Sequence, residues 1–319
     1  MGRILIGVLG YGSRMPDPGV MAALADHPVI AGVLVFWNAP DEGVRIRLAS
    51  IEAASNRISI RTSPENLGSA GGYRRLLEWA ASRPDWDQFL LLDDDLVPQP
   101  GCVERLAEAA ASEHGDGVIH LAYRRDLPEL AALVESRKPL ARTRPGACLG
   151  FHVANLFSGR PSFSSHFDDE GITLDTAPYG GLLVPRSALA RLGVPMESLF
   201  LYADDTELTL RFTRGGGKIR LLIDAVVTDR SASWNATPSK GGNLARRVLN
   251  LDDTKAYFEA RNRNYLARRF HSGSPWVYAV NRAVFLTAVY VLATAHGRLG
   301  RARLIHRAIR DGEVMAAAP

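Results

Sequence analysis

Two cysteines in 319 residues, Cys102 and Cys148, fall outside any metal-ligand spacing, so neither a disulfide framework nor a thiolate zinc site is expected. No internal repeat or low-complexity block is visible, which argues against a solenoid or a disordered tail. Nor is there a comfortable membrane span: the most apolar late segment, Val277 to Ala293, is short and is broken by Asn281 and Arg282, so a packed or interfacial helix is expected there. Only one basic residue precedes the brief apolar run Ile4 to Gly10, and no small-residue cleavage pattern follows. That run is therefore expected to be a first strand rather than a leader, and Ile6 stands where myristoylation needs Ser or Thr. The cytoplasm is the expected compartment.

What the chain does have is apolar residue, 46%, enough for a sizeable core. The net charge of +4 is unevenly spread: Lys240 to Arg310 carries 14 Lys and Arg against three acids, leaving the remainder negative. Such segregation suits either solvated helix faces or contact with an anionic surface at the inner face of a membrane. Apolar runs at RILIGVLG, VIAGVLVFW, FLLLDDD and GVIHLAY alternate with helical stretches such as MAALAD, YRRLLEWAAS and CVERLAEAAAS. This is the rhythm of an α/β fold with a mostly parallel central sheet, whose ligands sit beyond the carboxyl ends of the strands. Residues 124 to about 176 loosen into Pro, Arg, Ser and Gly. A catalytic domain over residues 1–235 is expected, its donor half about 1–123 and its acceptor half about 124–235, followed by a basic helical region, 236–319.

The stretch FLLLDDDLVP runs four apolar residues into Asp93, Asp94 and Asp95, with no neutralising charge nearby in sequence. In extended chain Asp93 and Asp95 share a side and Asp94 faces the other way. Converging carboxylates suit Mg²⁺ or Mn²⁺; an acidic turn without a ligand is the competing reading. Upstream, NLGSAGGY spans Asn66 to Tyr73, with Gly68, Gly71 and Gly72 allowing close backbone approach to a ligand before a helix whose N-terminus favours negative charge. It is neither a P-loop nor a dinucleotide fingerprint. A third acidic group lies in FLYADDTEL, where Asp204 and Glu207 have capping-box spacing and Asp205 is left over, placed to accept a proton from a bound hydroxyl.

Taken in order, NLGSAGGY, LLLDDD, YGGLLVPRSALARLGVPMESLFLYADDTEL, GGGKIRLLIDAVV and YFEARNRNYL resemble the family 2 glycosyltransferases of the GT-A fold, nearest to bacterial galactofuranosyltransferases and rhamnosyltransferases, over roughly residues 1 to 270. The resemblance implies a UDP- or dTDP-linked sugar donor, Mg²⁺ or Mn²⁺, inversion at the anomeric carbon, and a glycan, lipid-linked glycan or small-molecule acceptor. It implies metal ligation by Asp93, Asp95 and Asp229, with Asp205 as general base beside Asp204 and Glu207. Donor contacts are expected from Trp37, Asn38, Asn66, Gly68, Gly71, Gly72 and Asp94, and acceptor-side contacts from Tyr179, Gly180, Gly181 and Trp234. No nucleic-acid partner is expected, an oligomer is compatible with the sequence, and the basic helices suggest peripheral membrane contact.

The sequence also departs from that family. Trp37 replaces an acid that commonly meets the nucleoside, Glu65 stands where relatives often carry Arg, and Asp229 stands where galactofuranosyltransferases place a metal-binding His. Two other readings stay open: a lapsed nucleotide-sugar binding protein, and a haloacid-dehalogenase-like phosphatase using Asp93 and Asp95.

Overall fold

In the computed structural model, residues 2–113, 116–140, 143–157, 164–168, 171–230, 244 and 246–318 are described, and they fall into two compact units. The first holds Met1–Pro139, Ser165–Phe200 and Asp204–Ala236. Its strands β1 (Ile4–Tyr11), β2 (Ile30–Asn38) and β4 (Gln88–Asp93) are nearly continuous apolar runs, as strands covered on both faces must be. The first two helices start where short polar side chains supply caps. Asp17 accepts from the backbone N–H groups of Gly19 and Val20 to open α1 (Pro18–Asp26), and Asp41 accepts from Val44 to open α2 (Glu42–Ala54).

The remaining elements are β3 (Ile58–Ser63), α3 (Gly68–Ala81), β5 (Leu96–Pro98), α4 (Cys102–Ser112), β6 (Val118–Arg124), α5 (Pro128–Ser136), β7 (Ser165–Asp168), β8 (Gly171–Leu174), β9 (Leu182–Pro185), α6 (Arg186–Leu192), α7 (Asp204–Arg214) and β10 (Lys218–Asp229). They build a ten-stranded sheet in the order β3-β2-β1-β4-β9-β6-β10-β8-β7, with β5 antiparallel to the far end of β10. β1 to β4 are mutually parallel, as are β6 and β10, and β9 runs antiparallel between β4 and β6. The expected α/β class with a mostly parallel sheet is what the chain forms. Val33, Val35 and Trp37 point to one face and join a core with Met21, Leu48, Leu92 and Leu106. Residues α2 and β3 carry little apolar pattern, and α5 and the β7–β8 hairpin lie inside the stretch that reads as irregular.

The second unit comprises Leu140–Ser164, Leu201–Ala203 and Thr237–Pro319. Its helices are α8 (Asp253–Phe270), α9 (Pro275–Ala295) and α10 (Leu299–Ala317), packed around Cys148, Val248, Phe285, Val289, Ile305 and Ile309. Buried polar groups here are paired, as burial requires. Arg247 donates twice to Glu259, at 2.5 and 3.0 Å, and Asn264 Nδ2 donates to the Ile309 carbonyl at 2.9 Å.

Candidate active site

Sheet register brings the acids together. Asp93 closes β4 opposite Leu9 of β1, and Asp94 donates its N–H to the Leu9 carbonyl at 3.0 Å. β5 then starts at Leu96, paired with Asp229, the last residue of β10, while Arg230 N–H donates to the Asp95 carbonyl at 2.9 Å. The Asp93–Asp95 turn therefore lies at the carboxyl ends of β1 and β4, beside the end of β10. This is where open α/β sheets bind ligands.

The three side chains have separate partners. Tyr73 donates its hydroxyl to Asp93 Oδ1 at 2.6 Å, and Arg124 Nη1 stands 3.8 Å from Asp93 Oδ2. Arg124 is itself buried and held by Asp126. Burial raises the Asp93 carboxyl above its ordinary range; Tyr73 and Arg124 pull it down, while Asp95 and Asp205 push it up. Arg14, on the loop after β1, reaches Asp95 Oδ2 at 2.5 Å and Asp94 Oδ1 at 3.3 Å. Asp94 is pushed up to about 7, chiefly by burial, against the charge of Arg14. Its Oδ2 is buried without a hydrogen-bond partner among the described residues. Asp229 is near enough to favour the charged forms of both Arg14 and Arg124.

One expectation is completed and one corrected by this geometry. The acids do have counter-charges, but Arg14 and Arg124 come from distant parts of the chain, so no local window shows them. Asp94 does not stand apart from Asp95, because one guanidinium bridges both. Among the described residues no group of three His, Cys, Asp or Glu is already gathered as a metal cage. The donor set nevertheless fits a hard divalent cation: four carboxylates face two guanidiniums, and one buried carboxylate oxygen lacks a partner.

The second acidic group begins α7. The capping box is not formed. Asp204 is instead the first helical residue, buried, and accepts from the Ser69 hydroxyl at 2.9 Å. Glu207 is buried and accepts twice from Arg211 one turn on, at 3.1 and 3.2 Å. Asp205 keeps partial exposure, and its Oδ1 accepts from Thr206 N–H at 2.6 Å and Thr206 Oγ1 at 3.1 Å. Burial first, then the adjacent Asp205 charge, holds the Asp204 carboxyl well above the usual range. Four residues before the helix, Phe200 has φ 60° and ψ −64°, a sparsely populated positive-φ backbone that costs a non-glycine residue on the order of 1–3 kcal/mol.

Tyr179 stacks on Tyr73 with ring centroids 4.0 Å apart, and its hydroxyl lies near Asp204 outside good hydrogen-bond geometry. Beside it, Gly180 is required by crowding. A Cβ there would sit 2.7 Å from Arg124 Nη1 and 2.9 Å from Asp93 Oδ2. Gly181 passes its N–H to the Leu91 carbonyl at 2.8 Å, and a Cβ on it would stand 3.2 Å from Ala122 Cβ. Trp234 lies outside the described residues.

On the donor side the expected residues divide. Trp37 is fully buried, its indole N–H donating to the Gly12 carbonyl at 3.0 Å, so it belongs to the core under the β1 loop. Asn38 is also buried. It donates to the Gly68 carbonyl at 2.9 Å and ties β2 to the start of α3. The helix begins at Gly68, five residues before Tyr73, and its glycines pack protein on protein. Gly68 has φ +68°, and a Cβ there would meet the Phe200 carbonyl oxygen at 1.9 Å, while Gly71 and Gly72 abut Leu67 and Leu9. Two of the early N–H groups of α3 are already used: Gly68 donates to Asn66 Oδ1 at 2.9 Å and Ala70 to the Phe200 carbonyl at 3.2 Å. Sequence reasoning missed Arg14, Tyr73 and Arg124 as site residues. The signal for Tyr73 was its place closing NLGSAGGY.

Comparison with known proteins bears on the family and the fold. Residues 33–154 match the family described as Glycosyl transferase family 2. The chain is 24% identical over 283 residues to galactofuranosyltransferase GlfT2 of Mycobacterium tuberculosis (strain ATCC 25618 / H37Rv), covering 85% of this chain but 42% of that protein. It is 28% identical over 239 residues to galactofuranosyltransferase GlfT1 of Mycobacterium tuberculosis (strain CDC 1551 / Oshkosh), covering 71% of this chain and 68% of that one. This chain thus spans about two fifths of the length of GlfT2. A crystal structure of GalNAc-T7 with UDP, GalNAc and Mn²⁺ superposes with TM-score 0.50 at 10% identity, covering 93% of this chain and 59% of that one, a likeness of fold. Residues 33–154 are thus similar to glycosyltransferase family 2, and the mixed α/β fold with C-terminal helices is like that of GT-A glycosyltransferase structures.

Proposed function

We propose that this protein is a glycosyltransferase that moves a sugar from a nucleotide-diphosphate donor to an acceptor hydroxyl by a single displacement with inversion. One observation carries the reading: the Asp93–Asp95 turn pairs with the end of β10 at Asp229, and Asp205 is close enough to shift Asp93. Galactofuranose is the proposed sugar, supported by the names of the curated relatives. Rhamnose or another deoxysugar is the alternative, UDP or dTDP the carrier, and a glycan, lipid-linked glycan or small molecule the acceptor.

Burial holds the Asp204 carboxyl well above the usual range, and its more exposed neighbour Asp205 is the group assigned to take the acceptor's proton. Tyr73 fixes the Asp93 carboxylate, and buried Arg124 lends positive charge at its side. Arg14 is half-exposed on its loop, and in this reading it turns from the acids to the donor's diphosphate. Asp93, Asp95 and Asp229 would hold Mg²⁺ or Mn²⁺, which when bound supplies charge that offsets the leaving diphosphate. Glu207, tied to Arg211, braces α7 rather than moving a proton.

A screen of UDP-, dTDP- and GDP-sugars with Mg²⁺ or Mn²⁺, read as nucleotide release, tests this. Release from a galactofuranose or deoxysugar donor supports it. Tight binding with neither transfer nor hydrolysis returns the lapsed-binding reading, and phosphate release from simple monoesters returns the phosphatase.

A further inference from the structure

The second unit carries a surface that the chemistry above does not use. α9 is long and apolar enough to cross a membrane by length and composition, yet only 33% of its most apolar window is buried. One side, through Tyr278, Asn281, Phe285, Val289 and Ala293, faces the core of the unit. The opposite side is open to solvent: Trp276 is 82% exposed, Val291 64% and Val280 54%. The spacing of Trp276, Val280, Val284, Thr287 and Val291, three or four apart, draws one stripe along the helix. No charged residue interrupts that stripe, and water gains nothing from an apolar face of this length.

The surrounding charge says what the face is for. The segment Lys240 to Arg310 carries 14 Lys and Arg against three acids. Many of these arginines are occupied, as Arg282 is with Glu313 and Arg301 with Asp253. Arg269, Arg303 and Arg310 are exposed and have no ion pair among the described residues. An exposed Trp at the end of an uncharged helical face, with unpaired arginines on the adjoining helices, matches a helix lying in the headgroup layer of an anionic bilayer. Asn281 and Arg282 are both engaged within the unit, and this favours a helix lying flat over one that leaves the unit to span.

We propose that the exposed face of α9 docks this protein on the surface of an anionic phospholipid membrane, Trp276 entering the interface while Arg269, Arg303 and Arg310 meet lipid phosphates. The partner is the lipid surface, not a second copy of the chain. The proposal does not depend on the sugar-transfer reading.

The test is co-sedimentation of the full chain with vesicles of phosphatidylcholine, alone or with 30% phosphatidylglycerol, at low and at high salt; here about 50 and 500 mM NaCl bracket the screening range. Binding is expected to the anionic vesicles at low salt, roughly tenfold weaker at high salt, and at least tenfold weaker for Val280→Asp. Tryptophan fluorescence should be quenched by brominated lipid in the wild type, and that quenching should fall in Trp276→Ser. Both positions are exposed, so circular dichroism melts should match wild type. Absence of binding to anionic vesicles at low salt overturns the proposal. So does equal binding by Val280→Asp, a concentration-dependent dimer that Val280→Asp abolishes, or resistance to alkaline carbonate extraction, which would mark a span.

Discussion

Arg14 Nη1 lies 2.5 Å from Asp95 Oδ2, so the acid proposed to hold a cation already has a protein cation against it. Arg14 and a metal ion then compete for the same carboxylate. The Arg14 side chain is 51% exposed, and such a pair contributes about 1 kcal/mol or less. Arg14→Ala should therefore bind Mn²⁺ roughly fivefold more tightly in the absence of nucleotide, and should bind nucleotide diphosphate more weakly in its presence. Calorimetry on the two proteins measures both. Unchanged or weaker Mn²⁺ affinity would mean that Arg14 organises the turn rather than competing at it.

Asp205→Asn should lower turnover by about 10²–10⁴-fold while nucleotide affinity stays near that of wild type. Single-turnover transfer and a nucleotide titration separate the two. A parallel loss of binding would give Asp205 a structural role.

Tyr73→Phe deletes the hydroxyl that donates to Asp93 at 2.6 Å and leaves a carboxylate oxygen without its donor. A loss of about 1–3 kcal/mol in urea unfolding is expected, along with weaker metal-dependent nucleotide binding. Stability equal to wild type would show that water replaces the hydroxyl.

His120 sets a pH dependence away from the site. It is 1% exposed, neither ring nitrogen has a hydrogen-bond partner among the described residues, with Glu113 Oε2 standing 3.7 Å from Nε2, and burial together with Arg220 and Arg105 lowers its pKa to about 4. The unfolded chain takes up this proton near 6.5 and the folded chain resists until about 4. Stability from this residue is thus whole above 6.5, declines as pH falls, and is lost by about 4, a change of about 3 kcal/mol. Wild type should lose that much more than His120→Gln in unfolding free energy between these limits. Parallel losses in the two proteins would remove His120 as the cause.

Much of the sheet was legible because β1, β2 and β4 are buried on both faces and read as apolar runs. The acids were visible because three carboxylates at the end of such a run need a partner. Their partners were not, since Arg14 lies about 80 residues upstream of Asp94 and only the parallel pairing of β1 with β4 brings it there. Trp37 was misplaced for a reason also in the sequence: it alternates with Val33 and Val35, the core face of β2, whereas Asn38 shares the face of Leu34 and Phe36 toward α3. Glu207 and Arg211, four apart on one helix, were readable as an ion pair; motif order drew attention to the acid alone. The glycines of NLGSAGGY looked like a ligand cradle because the need of Gly68 to clear the Phe200 carbonyl depends on a contact 132 residues away.

The most direct measurement is a calorimetric titration of UDP and of dTDP into wild type and Asp95→Ala, each with Mn²⁺ and again with chelator. Wild type should bind at least one nucleotide tenfold or more tightly with the metal, and Asp95→Ala should show no difference between the two conditions. Wild-type affinity that is the same in chelator, or no binding of either nucleotide, would contradict a cation-held diphosphate at the Asp93–Asp95 turn.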